Sequence, residues 1–341
     1  MSAAAAPAKA VTPEAGIYLR ACLAPFEELL AREDITDIYV NKPGEVWFET
    51  LGGATARAED PRLDDVALLR LARQVAALSH QGVSREHPLM SAVLPDGSRV
   101  QVVAPPATRG PLALAIRRHL APKLVLSDYQ AIGAFAETET GELGERSVEP
   151  ERIARLVEKG EIAPALSEAV RARRNILVSG GTSSGKTTFL NALIREVPAD
   201  ERLVLIEDTP ELHVEHANHV GLVAVRGSLG ETQVSANDLV TASLRLRPDR
   251  IILGELRGVE ALAFLRAINS GHPGSMTTIH ADSPEAAVEQ LVLLALQAGT
   301  SLSRADVRHY VTQTIDVFVQ LRRTGGLRRI ERVALRGQAG A

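Results

Sequence analysis

The sequence has a single cysteine, few aromatic residues, little net charge and no long apolar run. The one cysteine, Cys22, excludes a disulfide framework and any zinc site built from four cysteines. Aromatic residues make up 3% of the chain and the net charge is −4. A dedicated nucleic-acid-binding protein usually has a basic footprint or an aromatic stacking platform, so this composition argues against that class.

The start of the chain does not resemble an export signal. Residues 1–16 are rich in alanine and proline, and no positively charged segment leads into an apolar core. No apolar run elsewhere approaches the roughly 18 residues that a membrane-spanning helix needs. We therefore predict a flexible tail over residues 1–16 and a cytoplasmic protein, for which peripheral membrane contact stays open.

The first part of the chain mixes helical and strand patterns in the manner of an α+β domain. With 341 residues, two domains of ordinary size are expected. The patterns predict helices over 17–32 and 63–78, strands over 37–40, 45–49 and 112–117, and a hairpin over 88–104. We predict a domain over 17–118 with a mainly antiparallel sheet, followed by an acidic linker over 119–150.

The second part alternates strands and helices, which is typical of an α/β sheet covered by helices on both faces. Strands are predicted over 175–179, 203–207, 220–225, 250–254 and 275–279, and a terminal strand pair over 315–321 and 327–335. Helices are predicted over 151–159, 163–173, 186–196, 235–246, 259–270, 284–298 and 304–314. The predicted second domain spans 151–341.

A phosphate-binding loop lies between the first strand and the next helix of this second domain. Its residues fit the pattern G-x-x-x-x-G-K-[ST] and are Gly180, Gly181, Thr182, Ser183, Ser184, Gly185, Lys186, Thr187 and Thr188. Glycines let successive backbone N–H groups turn toward one anion at a helix N-terminus. In such loops the lysine reaches the β- and γ-phosphates and the hydroxyl binds Mg²⁺, which here predicts those roles for Lys186 and Thr187.

Two apolar strands of this domain end in acids, as a nucleotide hydrolase requires near the γ-phosphate. The run 251–255 has the form of a Walker B strand, with Gly254 where an aspartate usually stands. We predict that Glu255 polarises the attacking water and approaches Mg²⁺ through water. Glu207 follows another strand and could reach the same crevice. For both Glu255 and Glu207, the alternative is an acidic residue that simply lies on the surface after a strand.

Several histidines and arginines could take part in this chemistry or have structural roles. His272 and His280 flank the strand at 275–279, and spacing alone leaves a structural histidine and a phosphate sensor equally open. We keep His280 as a candidate catalytic residue. The run of His213, His216 and His219 favours a polar loop over a metal site. For Arg245 and Arg247, phosphate contact, a subunit edge and solvated charge all stay open.

Four blocks in one order resemble the secretion traffic ATPases, which drive type II and type IV secretion and type IV pili. That family calls these blocks Walker A, Asp box, Walker B and His box, and they lie here at Gly180–Thr188, Ile206–Leu212, Ser243–Gly258 and Gly271–Ala281. A single cysteine excludes the four-cysteine module of the type II motors. The amino-acid sequences of the blocks most resemble those of the type IV secretion branch, the VirB-eleven-type ATPases.

The resemblance implies a RecA-like P-loop domain in a homo-hexameric ring, with ATP between the two domains. It also implies N-terminal arginines on the nucleotide phosphates, and the matching positions are Arg99 and Arg117. The expected partners are inner-membrane components and other ATPases of a type IV secretion or conjugation machine, at the inner face of the bacterial inner membrane. The long linker raises the hypothesis that each N-terminal domain covers the site of a neighbouring subunit.

Two other classes compete with this interpretation. A RecA-like recombinase or helicase would need a basic channel or stacked aromatics, which the composition disfavours. A regulatory assembly factor would bind nucleotide without hydrolysing it. The preferred prediction is an ATPase that forms ADP and phosphate and moves N-terminal domains around a ring.

Overall fold

A computed structural model describes residues 13–118, 120, 125–131, 133, 135–136, 138, 149–225 and 232–336. Its strands form two sheets, one of six strands and one of seven. None of the helices in the described part of the chain is long and apolar enough to span a membrane. The predicted α+β and α/β halves are confirmed, and each half has its own sheet.

The N-terminal sheet is antiparallel throughout, in the order β3-β2-β1-β6-β5-β4. In chain order the elements are α1 (Pro13–Leu23), α2 (Glu27–Ala31), β1 (Ile35–Val40), β2 (Glu45–Thr50), β3 (Thr55–Glu59), α3 (Asp65–Leu78), β4 (Leu89–Val93), β5 (Arg99–Val103) and β6 (Ala113–Arg117). Asp64 caps α3 by accepting the Ala67 N–H. One stripe of α3, with Leu68, Leu71 and Val75, packs on the sheet.

Three details of this domain differ from the predictions. The helix predicted over 17–32 is two helices separated by a 3₁₀ turn at Ala24–Phe26, because Pro25 cannot donate a backbone hydrogen bond. Helix α1 already begins at Pro13, inside the range predicted as tail. Strand β3 was not predicted, because it is a fully exposed edge strand whose only apolar residues are two alanines. Most of the predicted linker lies outside the described residues, although α4 (Leu126–Ala131) falls within it.

The second sheet has the order β13-β12-β7-β11-β10-β8-β9 and is parallel except for the β12–β13 pair. Its elements are α5 (Glu149–Glu158), α6 (Ile162–Arg171), β7 (Ile176–Gly180), α7 (Lys186–Ile194), β8 (Leu203–Glu207), β9 (His219–Val223), α8 (Ala236–Ser243), β10 (Arg250–Leu253), α9 (Glu260–Asn269), β11 (Met276–Ile279), α10 (Pro284–Leu296), α11 (Arg304–Thr314), β12 (Val317–Thr324) and β13 (Leu327–Leu335). Both faces are buried: Leu177 packs into one apolar cluster, whereas Ile176 and Val178 pack into another.

The two domains of this chain are joined along edge strand β9. The Arg109 N–H donates to the carbonyl of Gly221 at 2.8 Å, and the Val223 N–H donates to the carbonyl of Ala107 at 2.9 Å. Thr108 and Leu222 form an antiparallel bridge there. A short segment of the N-terminal domain therefore extends the second sheet by main-chain pairing.

A fully buried arginine lies at the same junction. The Arg202 Nη1 donates to the side-chain oxygens of Asn41 and Asn218, each at 2.6 Å, and Nε donates to the carbonyl of Leu246 at 2.9 Å. The guanidinium lies 4.0 Å from the centre of the Tyr39 ring. Burial lowers the pKa of Arg202 to about 10, so the side chain stays charged near neutral pH.

Candidate active site

The loop between β7 and α7 has the backbone of an anion-binding nest. Gly185 has φ +95° and Ser183 has φ +60°, both in the left-handed region, which glycine adopts at no steric cost. Alternation of right- and left-handed residues turns successive N–H groups toward one side. Because α7 begins at Lys186, its unpaired N-terminal N–H groups open at the same place.

Lys186 is folded back across this loop. Its Nζ donates to the carbonyls of Gly180 at 3.0 Å and Gly181 at 3.3 Å. Burial lowers the pKa of Lys186, and the nearby charge of Glu255 works against that shift. The ammonium is therefore held beside the nest by a carboxylate and two main-chain oxygens, an arrangement suited to an anion such as a phosphate.

The structure brings together three side chains predicted for the site. His280 follows β11 and Glu255 follows β10. Strand β11 lies between β7 and β10 in the sheet. The His280 Nε2 lies 2.7 Å from Glu255 Oε1, and its Nδ1 lies 3.3 Å from Lys186 Nζ. Lys186 Nζ lies 4.0 Å from Glu255 Oε1. His280 thus bridges the lysine and the carboxylate, whereas Arg257 pairs with the other oxygen of Glu255.

Glu207 occupies the space beside Gly254, where the usual Walker B aspartate would stand. A Cβ placed on Gly254 would lie 3.1 Å from Glu207 Cγ and 3.6 Å from the carbonyl oxygen of Ile206. Strands β8 and β10 are neighbours, with Leu253 opposite Ile206, so the two positions meet. The stem of an acidic side chain on β8 therefore takes up space that an aspartate at position 254 of β10 would need.

Glu207 is held from three directions and is almost fully buried. Its Oε1 accepts the backbone N–H groups of Glu211 and Leu212, each at 2.8 Å. Its Oε2 pairs with Arg109 of the N-terminal domain, and burial lowers the pKa of that arginine. Arg109 also donates to the carbonyl of Leu212 at 2.9 Å. One N-terminal arginine of this chain thus reaches the acidic edge of the site.

Arg99 and Arg117 lie elsewhere in this chain. They face each other on β5 and β6, and Arg117 Nε lies 3.2 Å from Asp37 Oδ1. No hydrogen bond or ion pair joins either arginine to the phosphate-binding loop among the described residues. Arg117 is close enough to contribute to lowering the pKa of His272, although burial is the larger cause.

The other polar candidates have structural partners. The His272 Nδ1 lies 3.0 Å from the carbonyl of Pro248, at the edge where β10 and β11 begin, opposite the phosphate-binding loop. Arg247 pairs with Asp249 and with Glu49 of β2, and Arg245 Nη1 lies 3.4 Å from Ser91 Oγ of β4. Both arginines therefore join the two domains. In the histidine run, His216 and His219 contact backbone carbonyl oxygens.

Two residues near the site were missed by sequence reasoning. Arg109 lies in a loop with no motif, so no local signal identifies it. Gln320 had a signal, because it is a polar residue within the apolar strand 317–321. Its Oε1 accepts from Ser179 Oγ at 2.5 Å, and its Nε2 donates to the carbonyl of Ala281 at 3.2 Å. Gln320 thus ties the segment after His280 to the strand before the loop.

Comparison with known proteins identifies the same architecture. Residues 20–324 match the family described as "Type II/IV secretion system protein". The Type IV secretion system protein VirB11 of Bartonella henselae is 36% identical over 317 residues, which cover 89% of each chain. The PtlH homolog of Bordetella bronchiseptica, also named as a type IV secretion system protein, is 39% identical over 302 residues, covering 87% of this chain and 88% of the relative.

One solved structure matches nearly the whole fold. It is the crystal structure of the VirB11 ATPase from the Brucella suis type IV secretion system in complex with sulphate. The TM-score is 0.87 at 35% sequence identity, and the match covers 93% of this chain and 97% of that one. Both sheets are therefore present in a known relative.

Proposed function

Because this chain belongs to the family of type II and type IV secretion system proteins, we propose that it is the ATPase subunit of a type IV secretion system, in which ATP hydrolysis drives transfer of a substrate or assembly of a pilus. The observation that carries the proposal is the contact of Lys186, His280 and Glu255 beside the nest of the phosphate-binding loop. A carboxylate and a histidine beside the lysine favour an enzyme that hydrolyses the γ-phosphate over a protein that only binds the nucleotide.

Each of the three side chains has a task that its position supports. Lys186 neutralises the charge that develops on the transferred phosphoryl group. Glu255 accepts a hydrogen bond from the attacking water and orients it in line with the leaving oxygen. His280 lies 2.7 Å from Glu255 and fixes the orientation of its carboxylate. ADP and phosphate are the products, and no side chain needs to form a covalent intermediate.

The donor set fits Mg²⁺ that enters with the nucleotide. In the described residues, no group of three or more histidine, cysteine or acidic side chains could hold a metal ion alone. Mg²⁺ commonly uses one or two protein oxygens together with nucleotide phosphates and water. Thr187 would supply the hydroxyl and Glu255 would act through water. When bound, the ion neutralises negative charge on the phosphate oxygens.

We further propose a homo-hexameric ring in which Arg99 and Arg117 serve the site of a neighbouring subunit. Within this chain the N-terminal domain is bonded along β9, and neither arginine reaches its own phosphate-binding loop. In a ring the same face could approach the next subunit, where a guanidinium stabilises γ-phosphate charge on closure. The ring would work with membrane components and other ATPases of its machine, at the cytoplasmic face of the inner membrane.

A turnover assay on purified protein tests the enzymatic assignment. Lys186→Ala should abolish phosphate release, and Glu255→Gln should bind ATP but lose at least about 100-fold in kcat. Arg329→Ala, on an exposed strand, serves as the matched control and should keep the wild-type rate. Full turnover in Lys186→Ala would refute the assignment, and unchanged kcat in Glu255→Gln would remove Glu255 from its role.

Mixed rings test whether the arginines act between subunits. Lys186→Ala and the double variant Arg99→Ala/Arg117→Ala should each be inactive alone. The two variants are then mixed before the rings assemble. If the arginines act on a neighbour, some sites in the mixed rings will combine the intact loop of the arginine variant with the intact arginines of the Lys186→Ala variant. Activity should then return in the mixture. A mixture as inactive as its components would contradict action between subunits.

A further inference from the structure

The β12–β13 hairpin continues past the end of the sheet and forms a wall beside the phosphate-binding loop. Strand β12 pairs with β7 up to the contact of Leu321 with Gly180, where β7 ends and the loop begins. Strand β12 then runs on to Thr324, turns through Gly325 and Gly326, and returns as β13. The tip of the hairpin therefore lies beside the loop rather than beside another strand.

This tip has two like-charged cross-strand pairs. Arg322 lies opposite Arg329, and Arg323 lies opposite Arg328. Like charges directly opposite each other destabilise an antiparallel pair. Arg322 has a carboxylate partner in Glu331 at 2.5 Å. In the described part of the chain, neither Arg323 nor Arg328 has a hydrogen-bonded or carboxylate partner, so a bound anion would lower the repulsion that solvent only screens.

Arg328 lies over the loop itself. A Cβ placed on Gly185 would lie 3.0 Å from Arg328 Cδ, 3.6 Å from Nε and 3.9 Å from Cγ. The stem of the side chain thus packs on the residue that precedes α7, and a Cβ at that position would force the arginine to shift. Arg329 points to the opposite face of the hairpin, because successive side chains of a strand alternate.

We propose that Arg328 binds the α- and β-phosphates of the nucleotide and forms the second cationic wall of the site. This inference rests on the proposed function, because it requires a nucleotide in the loop. Glu255 and His280 follow β10 and β11, on one side of β7, whereas the hairpin lies on the other side. The γ-phosphate must lie on the side of Glu255, which acts in its hydrolysis. Arg328, on the opposite side of β7, therefore contacts the α- and β-phosphates, which ADP retains.

The test is a titration of the full chain with a fluorescent ADP analogue, followed by competition with unlabelled ADP, ATP and inorganic pyrophosphate. A guanidinium–phosphate contact predicts that Arg328→Ala weakens all three competitors by about 10-fold or more. Arg328→Lys keeps the charge and should lose less. The matched control Arg329→Ala, one residue away on the other face, should change each affinity by less than about twofold.

Three results would overturn the proposal: wild-type affinity in Arg328→Ala, an equal loss in Arg329→Ala, or a loss for ADP without one for pyrophosphate. The last would show that the side chain stacks on the base. Failure of the wild-type protein to bind the ADP analogue would instead refute the proposed function. Arg328 is exposed, so thermal unfolding should be unchanged in both variants and serves to confirm that they are folded.

Discussion

Replacing Gly254 by aspartate should damage this protein, although aspartate is the usual residue at that position of a Walker B strand. The Cβ alone would come within 3.1 Å of Glu207 Cγ, closer than ordinary van der Waals contact. The carboxylate would add volume and a second negative charge beside a buried one. Gly254 does not have a positive φ, so backbone strain does not contribute. Overpacking of this kind costs about 1–3 kcal/mol in the free energy of unfolding.

The physical reason predicts a specific rescue. Removing the Glu207 side chain in Glu207→Ala opens the space that Asp at position 254 would fill, at the expense of the Arg109 ion pair and two main-chain hydrogen bonds. The double variant Gly254→Asp/Glu207→Ala should therefore be more stable than the sum of the two single changes predicts. For side chains in direct contact, the coupling free energy should be about 1 kcal/mol or more.

The assay is thermal and denaturant unfolding of the four proteins in the cycle, with ATP turnover measured in parallel. Gly254→Ala provides a graded control, because it adds only the Cβ and should have a smaller effect than Gly254→Asp. Additive effects in the cycle, within about 0.5 kcal/mol, would refute the reasoning that the two positions share one space. So would a Gly254→Asp protein with wild-type stability and turnover.

Two further predictions concern the junction between the domains. Arg202→Met fills most of the same volume but leaves the Asn41 side-chain oxygen and the Leu246 carbonyl without the arginine donor, whereas the Asn218 oxygen keeps the Asn41 amide as a donor. It should lower the free energy of unfolding by about 2–5 kcal/mol in denaturant titrations, and a loss under about 1 kcal/mol would contradict the role of the buried arginine. Burial lowers the pKa of His272 in the folded protein below its unfolded value of about 6.5. The stability that follows from this shift is therefore fully present above about pH 6.5 and is lost as the pH falls from there through the lower folded pKa. His272→Asn keeps a donor for the Pro248 carbonyl but has no titratable group. The melting temperature of this variant should therefore fall less than that of the wild type between about pH 7.5 and 5.5. An identical fall would show that His272 does not titrate on unfolding.

The second sheet could be predicted closely from the sequence, because its signals are local. Strand β8 and helix α11 have the predicted bounds, and the strand–loop–helix context of Gly180–Thr188 fixed the position of the phosphate-binding loop. Central parallel strands are short apolar runs between helices, and each run is interrupted by turn residues. Such patterns do not depend on which distant residues pack against them.

The residues of the site could be predicted from the sequence only where they lie in a recognisable motif. Lys186, Glu255 and His280 each follow a strand whose end is visible in the sequence. The filling of the Gly254 position by Glu207 depends on the register between β8 and β10, which no single segment specifies. Arg109 reaches Glu207 because a loop pairs with β9, and that pairing joins residues more than 100 positions apart. Non-local contacts of this kind leave no periodic signal.

These junction contacts also limit where movement can occur in the proposed ring. The segment 107–109 is bonded to β9 through main-chain groups, Arg202 is buried between the domains, and Arg247 bridges to Glu49. A rotation of the N-terminal domain against its own sheet would break all of these contacts at once and would expose a buried arginine. Among the residues that the structure describes, no hydrogen bond or ion pair ties Arg99 or Arg117 across the junction. We therefore expect nucleotide-driven closure to take place between subunits, with each N-terminal domain moving together with the sheet of its own chain.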